Sequence, residues 1–202
     1  MTTTMSNPAG TASAETAPGA AGSGNPALVG VLAMVGAAAM LLTAVGGAYM
    51  SVRHGSGADF VPKEMKFEYY AGGVLAATAV LGSIAVQFAL SGIRQGQSRW
   101  AWQGWALGVL FGVSSMALVW SIGYRLPFGV SDSPYAVLVY ALLSAAMLLL
   151  GVAVVAVTLA LMRTLGGQIT AAEPNLGRAA AWAWHIAAVG SVLTYAIIFL
   201  KK

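Results

Sequence analysis

Few side chains in this sequence have the types and spacing that chemistry requires. The sequence has 2 histidines, His54 in a glycine-rich segment and His185 in an apolar stretch. A bis-histidine haem needs two facing imidazoles, and a catalytic or structural metal centre needs three or four ligands. The chain has no Cys, which excludes thiolate, disulfide and iron–sulfur chemistry. The residues therefore predict no catalytic, metal or cofactor site on this chain.

The long apolar stretches also lack Asp, Glu and Lys. Proton relays and ion paths across membranes are built from such groups, and a retinal Schiff base needs a lysine. The arginines Arg94, Arg99, Arg125, Arg163 and Arg178 lie near the ends of these stretches, where their side chains can reach the headgroups. A pump, a transporter core and a membrane enzyme are therefore disfavoured. His54 is predicted to be a solvated loop residue.

The composition is that of a membrane protein. Of 202 residues, 58% are hydrophobic and 8% are charged, far below the roughly 25% charged residues of soluble domains. An aqueous fold needs a polar surface, whereas lipid accepts apolar side chains on every face of a helix. The formal net charge is +4, and the basic residues flank the apolar stretches as they do in membrane proteins, which disfavours nucleic-acid binding.

Apolar stretches of about 20 residues, long enough to cross roughly 30 Å of hydrocarbon, occur five times. The predicted fold is an all-α, polytopic membrane bundle with helices at 27–50, 69–93, 101–124, 135–162 and 179–200. Residues 1–26 are rich in Ala, Gly, Thr, Ser and Pro and are predicted to form a flexible or partner-bound tail. Because no Lys or Arg precedes Arg53, a cleaved secretory signal is not expected.

The basic residues indicate the orientation only weakly. Four lie on the side of the N-terminus, at Arg94, Arg99, Arg163 and Arg178, and six on the other, at Arg53, Lys63, Lys66, Arg125, Lys201 and Lys202. This count slightly favours a cytoplasmic C-terminus.

The third span carries two features typical of contact surfaces. Gly104, Gly108 and Gly112 recur every four residues and predict a close helix contact, whether with another helix of this chain or with another subunit. Trp100, Trp102 and Trp105 follow Arg99 and are typical of an aromatic belt at the membrane interface.

Two segments carry a family resemblance. The first span ends in YMSVR at Tyr49 to Arg53, and the last contains WHIAAVGSVLTYAIIFL from Trp184. With five spans, these segments resemble subunit III of the haem–copper (cytochrome c) oxidases. That family commonly ends in Trp-His-Phe-Val-Asp, followed by aliphatic residues and a tyrosine, which align with 184–188 and Tyr195. SIAVQFALSGIRQGQ and LGVLFG are further similarities, so the resemblance covers most of residues 27–202.

The sequence departs from that family at three polar positions. The paired histidines of the family's penultimate helix have no counterpart in YALLSAAMLLLGVAVV, and its acidic residue is missing from AGGVLAATAVLGSIAVQF. Ala188 stands where Asp is usual. The resemblance implies a divergent subunit III or a similar bundle in another respiratory assembly. It also implies a cytoplasmic N-terminus, which we prefer to the nearly even charge count.

The resemblance implies a non-catalytic accessory subunit of a respiratory terminal oxidase or supercomplex in the inner membrane of a bacterium. Such a subunit supports assembly, stability and lipid packing beside the catalytic subunit. Haem and copper are then expected in partner subunits, and phospholipid is expected to bind this chain. A small carrier or channel for an apolar or gaseous solute is the alternative function.

Seven residues are predicted to contact lipid or another subunit: Trp102, Gly104, Gly108, Gly112, Trp184, His185 and Tyr195. His185 is predicted to hydrogen-bond to a neighbouring helix or a lipid headgroup. Trp182 and Trp184 are predicted to fix its depth at the membrane interface.

Overall fold

The computed structural model describes residues 26–56, 60, 69–170 and 174–200, and within these ranges it is helical with no strand. The five α-helices are α1 (Pro26–Ser56), α2 (Tyr69–Arg94), α3 (Ser98–Tyr124), α4 (Pro134–Leu165) and α5 (Asn175–Tyr195), and α5 continues into a π-helical turn at Ala196–Leu200. All five are long and apolar enough to cross a membrane. The predicted all-α bundle of five membrane helices is thus confirmed, and the chain is a multi-pass membrane protein.

The helices are longer than the apolar stretches that predicted them. α1 runs to Ser56, past the predicted end at residue 50, so Arg53 and His54 lie in its last turn. His54 is exposed but helical, and its predicted place in a loop is wrong because α1 continues past it to Ser56. Basic side chains in a last turn face the negative end of the helix dipole, which favours this extension. The predicted tail, 1–26, lies almost entirely outside the described residues.

Short connections make neighbouring helices antiparallel. α2 and α3 are joined by three residues, among which Gly96 has a φ of 69°, a left-handed conformation that favours glycine. α4 begins with Pro134, and the Ser133 hydroxyl accepts a hydrogen bond from the amide of Ala136 at 3.1 Å. With five spans, the start of α1 and the end of α5 lie on opposite sides of the membrane.

Four of the helices form the body of the bundle. α2 packs on α3, α3 on α4, α4 on α5, and α5 back on α2, so that these four helices form a closed ring. α1 lies outside the ring, against α4 and α5. In its most apolar segment only 17% of the residues are buried, compared with 50% in α5, which makes α1 the peripheral helix.

The core combines a few large aromatic side chains with many small residues. Trp105, Trp184, Tyr49 and Tyr135 are almost fully buried. The buried faces of α4 and α5 are rich in alanine, which lets helix backbones approach closely, as membrane bundles require.

Candidate functional site

The central feature of the bundle is Trp184, where α5 meets α2 and α3. Its side chain is fully buried, and its indole Nε1 donates a hydrogen bond to the carbonyl oxygen of Ala79 on α2 at 3.2 Å. A methyl group at Gly82 would overlap Cζ2 of this indole, and one at Gly112 on α3 would lie 2.9 Å from its Cζ3. Two glycines therefore create the space that the indole fills. We call Trp184 with Ala79, Gly82 and Gly112 the Trp184 junction.

The junction corrects the prediction that Trp184 contacts lipid or another subunit at the membrane interface. The residue lies near the middle of its helix and is covered on all sides by this chain. Trp182, two positions earlier, is 64% exposed and points away from the core. The error arose because a tryptophan beside a histidine is typical of an interface, whereas here the helical rotation between the two tryptophans sends them in opposite directions.

The glycine face of α3 contacts other helices of this chain. A methyl group at Gly104 would lie 2.5 Å from the backbone nitrogen of Ala89 on α2. At Gly108 it would lie 2.9 Å from Cγ2 of Val86 on α2, and at Gly112 it would overlap Cγ2 of Val154 on α4. The predicted helix contact thus exists, but all three glycines are buried inside the bundle and none of them faces lipid or another subunit. The four-residue spacing indicated the contact but not its partner.

His185 lies next to Trp184 in sequence, near the middle of α5. It is about 15 Å along the helix axis from Asn175, the first residue of α5, and its position at the membrane interface stays a prediction. The side chain is half-buried. Its Nε2 is buried and has no hydrogen-bond partner among the described residues, so the predicted bond to a neighbouring helix is not formed by this atom. Contact of His185 with lipid or a partner stays a prediction.

Tyr195 holds the end of α5 against α2. Its ring stacks on Phe199 of the π-helical turn, with centroids 5.5 Å apart and planes at 29°. A methyl group at Gly72 on α2 would lie 2.5 Å from Cδ2 of Tyr195, so this glycine is needed for the close approach. The ring is partly exposed, and its contact with lipid or a subunit stays a prediction.

Two of the three tryptophans at the start of α3 lie at the surface, and the third lies in the core. Trp100 and Trp102 are 44% and 40% exposed, as an aromatic belt requires, and Trp100 stacks on Phe88 of α2 at 5.8 Å. Trp105 is fully buried beside Gly177 of α5 and belongs to the core, which corrects its assignment to the belt. Trp102 keeps the exposure that its predicted role in lipid or subunit contact needs.

An aromatic cluster lies at the end of the bundle opposite to Trp100 and Trp102, and the sequence did not predict it. The rings of Tyr49, Phe60 and Tyr135 pack against one another with centroids 5.3 to 6.2 Å apart. Phe128 extends the cluster toward α3, with its centroid 5.9 Å from that of Tyr135. Tyr49 in the YMSVR segment could have indicated an aromatic contact here, because a tyrosine near the end of a span often packs at the interface. Its partners come from two other segments, which sequence spacing cannot connect.

The described residues contain no group of three or more His, Cys, Asp or Glu side chains that could hold a metal ion. Neither a scan against models of known protein families nor a search of curated proteins finds a match for this chain. Packing characterises the described part of the bundle: a tryptophan junction near its middle, close glycine contacts between α2 and α3, and an aromatic cluster at one end.

Proposed function

We propose that this chain is a non-catalytic accessory subunit of a respiratory terminal oxidase or supercomplex, similar to oxidase subunit III. In this proposal it packs beside the haem- and copper-bearing catalytic subunit and other membrane subunits, and supports their assembly, stability and lipid environment. The Trp184 junction is the observation that carries the proposal. Residues of the subunit III-like segment, Trp184 and Tyr195, both attach α5 to α2 through glycines, at Gly82 and Gly72. The residues that carry the family resemblance are therefore residues that hold α5 against α2.

The character of the spans supports a packing role. The apolar stretches have no Asp, Glu or Lys, the side chains from which proton relays and ion paths across membranes are built. Small residues line the buried faces of α3, α4 and α5, which suits helix packing. The outward faces carry large apolar side chains such as Met40, Trp120 and Leu193, which suit contact with lipid and with other membrane subunits.

The alternative function, a carrier or channel for an apolar or gaseous solute, has less support. A path along the axis of the ring would pass the Trp184 junction, where a fully buried indole lies between α2 and α3. Trp105 fills the ring closer to the starts of α3 and α5 in the same way. Transport by this route requires both indoles to move.

We place the chain in the inner membrane of a bacterium, with the start of α1 on the cytoplasmic side. The side assignment follows the subunit III resemblance. It puts the aromatic cluster of Tyr49, Phe60 and Tyr135 near the external surface and Trp102 near the cytoplasmic one.

The test is purification of the tagged full chain from its native membrane after mild solubilisation, with an untagged strain as the control. The eluate is analysed by a reduced-minus-oxidised visible spectrum and by a subunit inventory. We expect haem bands and a large multi-span catalytic subunit in stoichiometric amount. A colourless protein associated only with itself would overturn the proposal, and uptake assays in vesicles would then test transport.

A further inference from the structure

A strongly polar side chain, Gln87, is exposed on the outer face of α2. It lies seven residues before Arg94, the last residue of the helix, which is about 10 Å along the helix axis. A helix of 26 residues is about 39 Å long, so a hydrocarbon layer of roughly 30 Å centred on α2 would begin about 5 Å from each end. Such a layer would include Gln87.

The carboxamide of Gln87 makes no hydrogen bond within the part of the chain that the structure describes. By contrast, the hydroxyls of Thr43 and Ser91 donate to carbonyl oxygens of their own helices at 2.8 Å. The Cα–Cβ bond of a helical residue tilts toward the start of the helix, which directs Gln87 away from the headgroups near Arg94. In hydrocarbon, where water cannot bond to it, this carboxamide is costly unless another molecule supplies a partner.

Gln87 belongs to a regular stripe along the outer face of α2. The stripe has six positions that are alternately four and three residues apart: Gly73, Ala77, Val80, Ile84, Gln87 and Ser91. Its four middle positions are exposed, and the first and last are partly so. This is the spacing of the seam along which two helices pack at about 20° in coiled coils and in many membrane bundles. The stripe is therefore suited to a second helix.

A second copy of this chain fits the stripe and also satisfies the carboxamide. Two copies inserted in the membrane with the same orientation are related by a two-fold axis along the membrane normal, so their α2 helices run parallel. Each residue of the stripe then faces its own counterpart at the same depth. Because a carboxamide is both donor and acceptor, Gln87 is complementary to Gln87. A helix of another protein would have to supply a polar side chain at that depth.

We propose that two copies of this chain associate in the membrane through α2, with their Gln87 carboxamides hydrogen-bonded to each other across a two-fold axis. Val80 and Ile84 pack against their counterparts on one side of this pair. The proposal does not rest on the respiratory assignment.

Cysteine cross-linking in the native membrane tests the interface, since the chain has no Cys of its own. Single-cysteine variants of the tagged full chain are oxidised with copper phenanthroline and separated on non-reducing gels. We expect Val80→Cys to give a disulfide-linked product at twice the mass of the chain, because counterparts in such a seam come close enough for a disulfide. Leu81→Cys is the matched control. Val80 and Leu81 are 46% and 50% exposed, but they point about 100° apart around the helix, so Leu81→Cys should stay monomeric.

A second measurement removes the polar group. Gln87→Leu should weaken association of the purified full chain in mild detergent about tenfold, which is about 1.4 kcal/mol and within the range of interhelical hydrogen bonds in model peptides. Förster transfer between labelled copies, over a series of protein-to-detergent ratios, gives the association constant. Gln87→Asn keeps a carboxamide and should lose less. Thr43→Leu is the control and should associate as the wild type does, because the Thr43 hydroxyl bonds within its own helix.

Three results would overturn the proposal. One is an equal yield of dimer from Val80→Cys and Leu81→Cys. Another is a Val80→Cys product that contains a different protein, which would show that the stripe receives a helix of another subunit. The third is unchanged association of Gln87→Leu. A cross-linked dimer that purifies without haem would support this proposal and overturn the respiratory one, so the two proposals fail separately.

Discussion

The indole N–H of Trp184 on α5 donates a hydrogen bond to the carbonyl oxygen of Ala79 on α2, across 3.2 Å at the middle of the bundle. The same indole fills the space left by Gly82 on α2 and Gly112 on α3. One side chain thus joins three of the four helices of the ring. In hydrocarbon, where apolar burial contributes little to helix association, such packing and hydrogen bonding are what hold helices together.

Removal of the indole should strongly destabilise the bundle. Trp184→Ala leaves a cavity between three helices, and we expect the free energy of unfolding to fall by about 3–5 kcal/mol. Trp182→Ala is the matched control, because that indole is 64% exposed, and it should change stability by less than about 0.5 kcal/mol. Unfolding in SDS, followed by far-UV circular dichroism, measures both. Equal effects of the two substitutions would show that the junction does not hold the ring.

Gly82 should tolerate alanine only when the indole is shortened. Gly82→Ala pushes a methyl group into Cζ2, Cε2 and Nε1 of Trp184, and overpacking of this kind costs about 1–3 kcal/mol. Phenylalanine has one ring instead of two and lacks Nε1 and Cζ2, so Trp184→Phe should relieve the clash. We expect the double variant to be more stable than the sum of the two single effects predicts.

The control for this cycle is Gly36→Ala on α1, where no atom lies within 4 Å of the added methyl group. It should leave stability unchanged or raise it by about 0.5–1 kcal/mol through helix propensity. Strict additivity of Gly82→Ala and Trp184→Phe would mean that the two residues do not interact.

The helices and the glycine contact of α3 were predictable because they follow from local sequence patterns, whereas the contacts of Trp184 with distant segments were not. The five helices follow from runs of apolar residues, and the contact at Gly104, Gly108 and Gly112 follows from their spacing, since both are local patterns. The depth and direction of Trp184 do not follow. They depend on which face of α5 meets α2, and that is decided by glycines more than 70 residues away in sequence, at Gly72 and Gly82.

The end of α1 and the position of His185 were harder to predict than the helices themselves. The apolar run of the first helix stops near residue 50, but the helix continues to Ser56 because polar side chains are tolerated once it leaves the hydrocarbon. The interface position of His185 was predicted from its neighbours Trp182 and Trp184, because tryptophans are typical of membrane interfaces. The structure places it near the middle of α5, where this chain covers part of its side chain.

The glycines of α3 should not respond equally to alanine. A methyl group at Gly104 would meet backbone atoms of Ala89, with the nitrogen at 2.5 Å, and backbone cannot rotate away. At Gly108 it would meet side-chain methyl groups of Val86 and Val157, at 2.9 and 3.2 Å, which can shift. Overpacking of a core costs about 1–3 kcal/mol of stability. We expect the cost of Gly104→Ala to lie in the upper part of this range and the cost of Gly108→Ala in the lower part. Thermal unfolding in mild detergent ranks them, and the reverse order would contradict the close backbone contact of α2 and α3.

His185 should be replaceable by leucine without loss of stability in the isolated chain. Its Nε2 is buried and has no hydrogen-bond partner among the described residues, and such a nitrogen costs about 1–3 kcal/mol. Leucine removes the polar atom and keeps similar bulk, so His185→Leu should unfold at the same or a higher SDS concentration than the wild type.

Two serines calibrate this measurement. Ser115, also buried with an unpartnered hydroxyl among the described residues, should accept alanine equally well. The hydroxyl of Ser191 donates to the carbonyl of Ala187 at 2.9 Å, so Ser191→Ala should lower stability slightly. A clear loss of stability in His185→Leu, with Ser115→Ala unchanged, would contradict the prediction. It would mean that the imidazole is bonded to a group outside the described residues, such as a tightly held lipid, and mass spectrometry of the same sample would identify it.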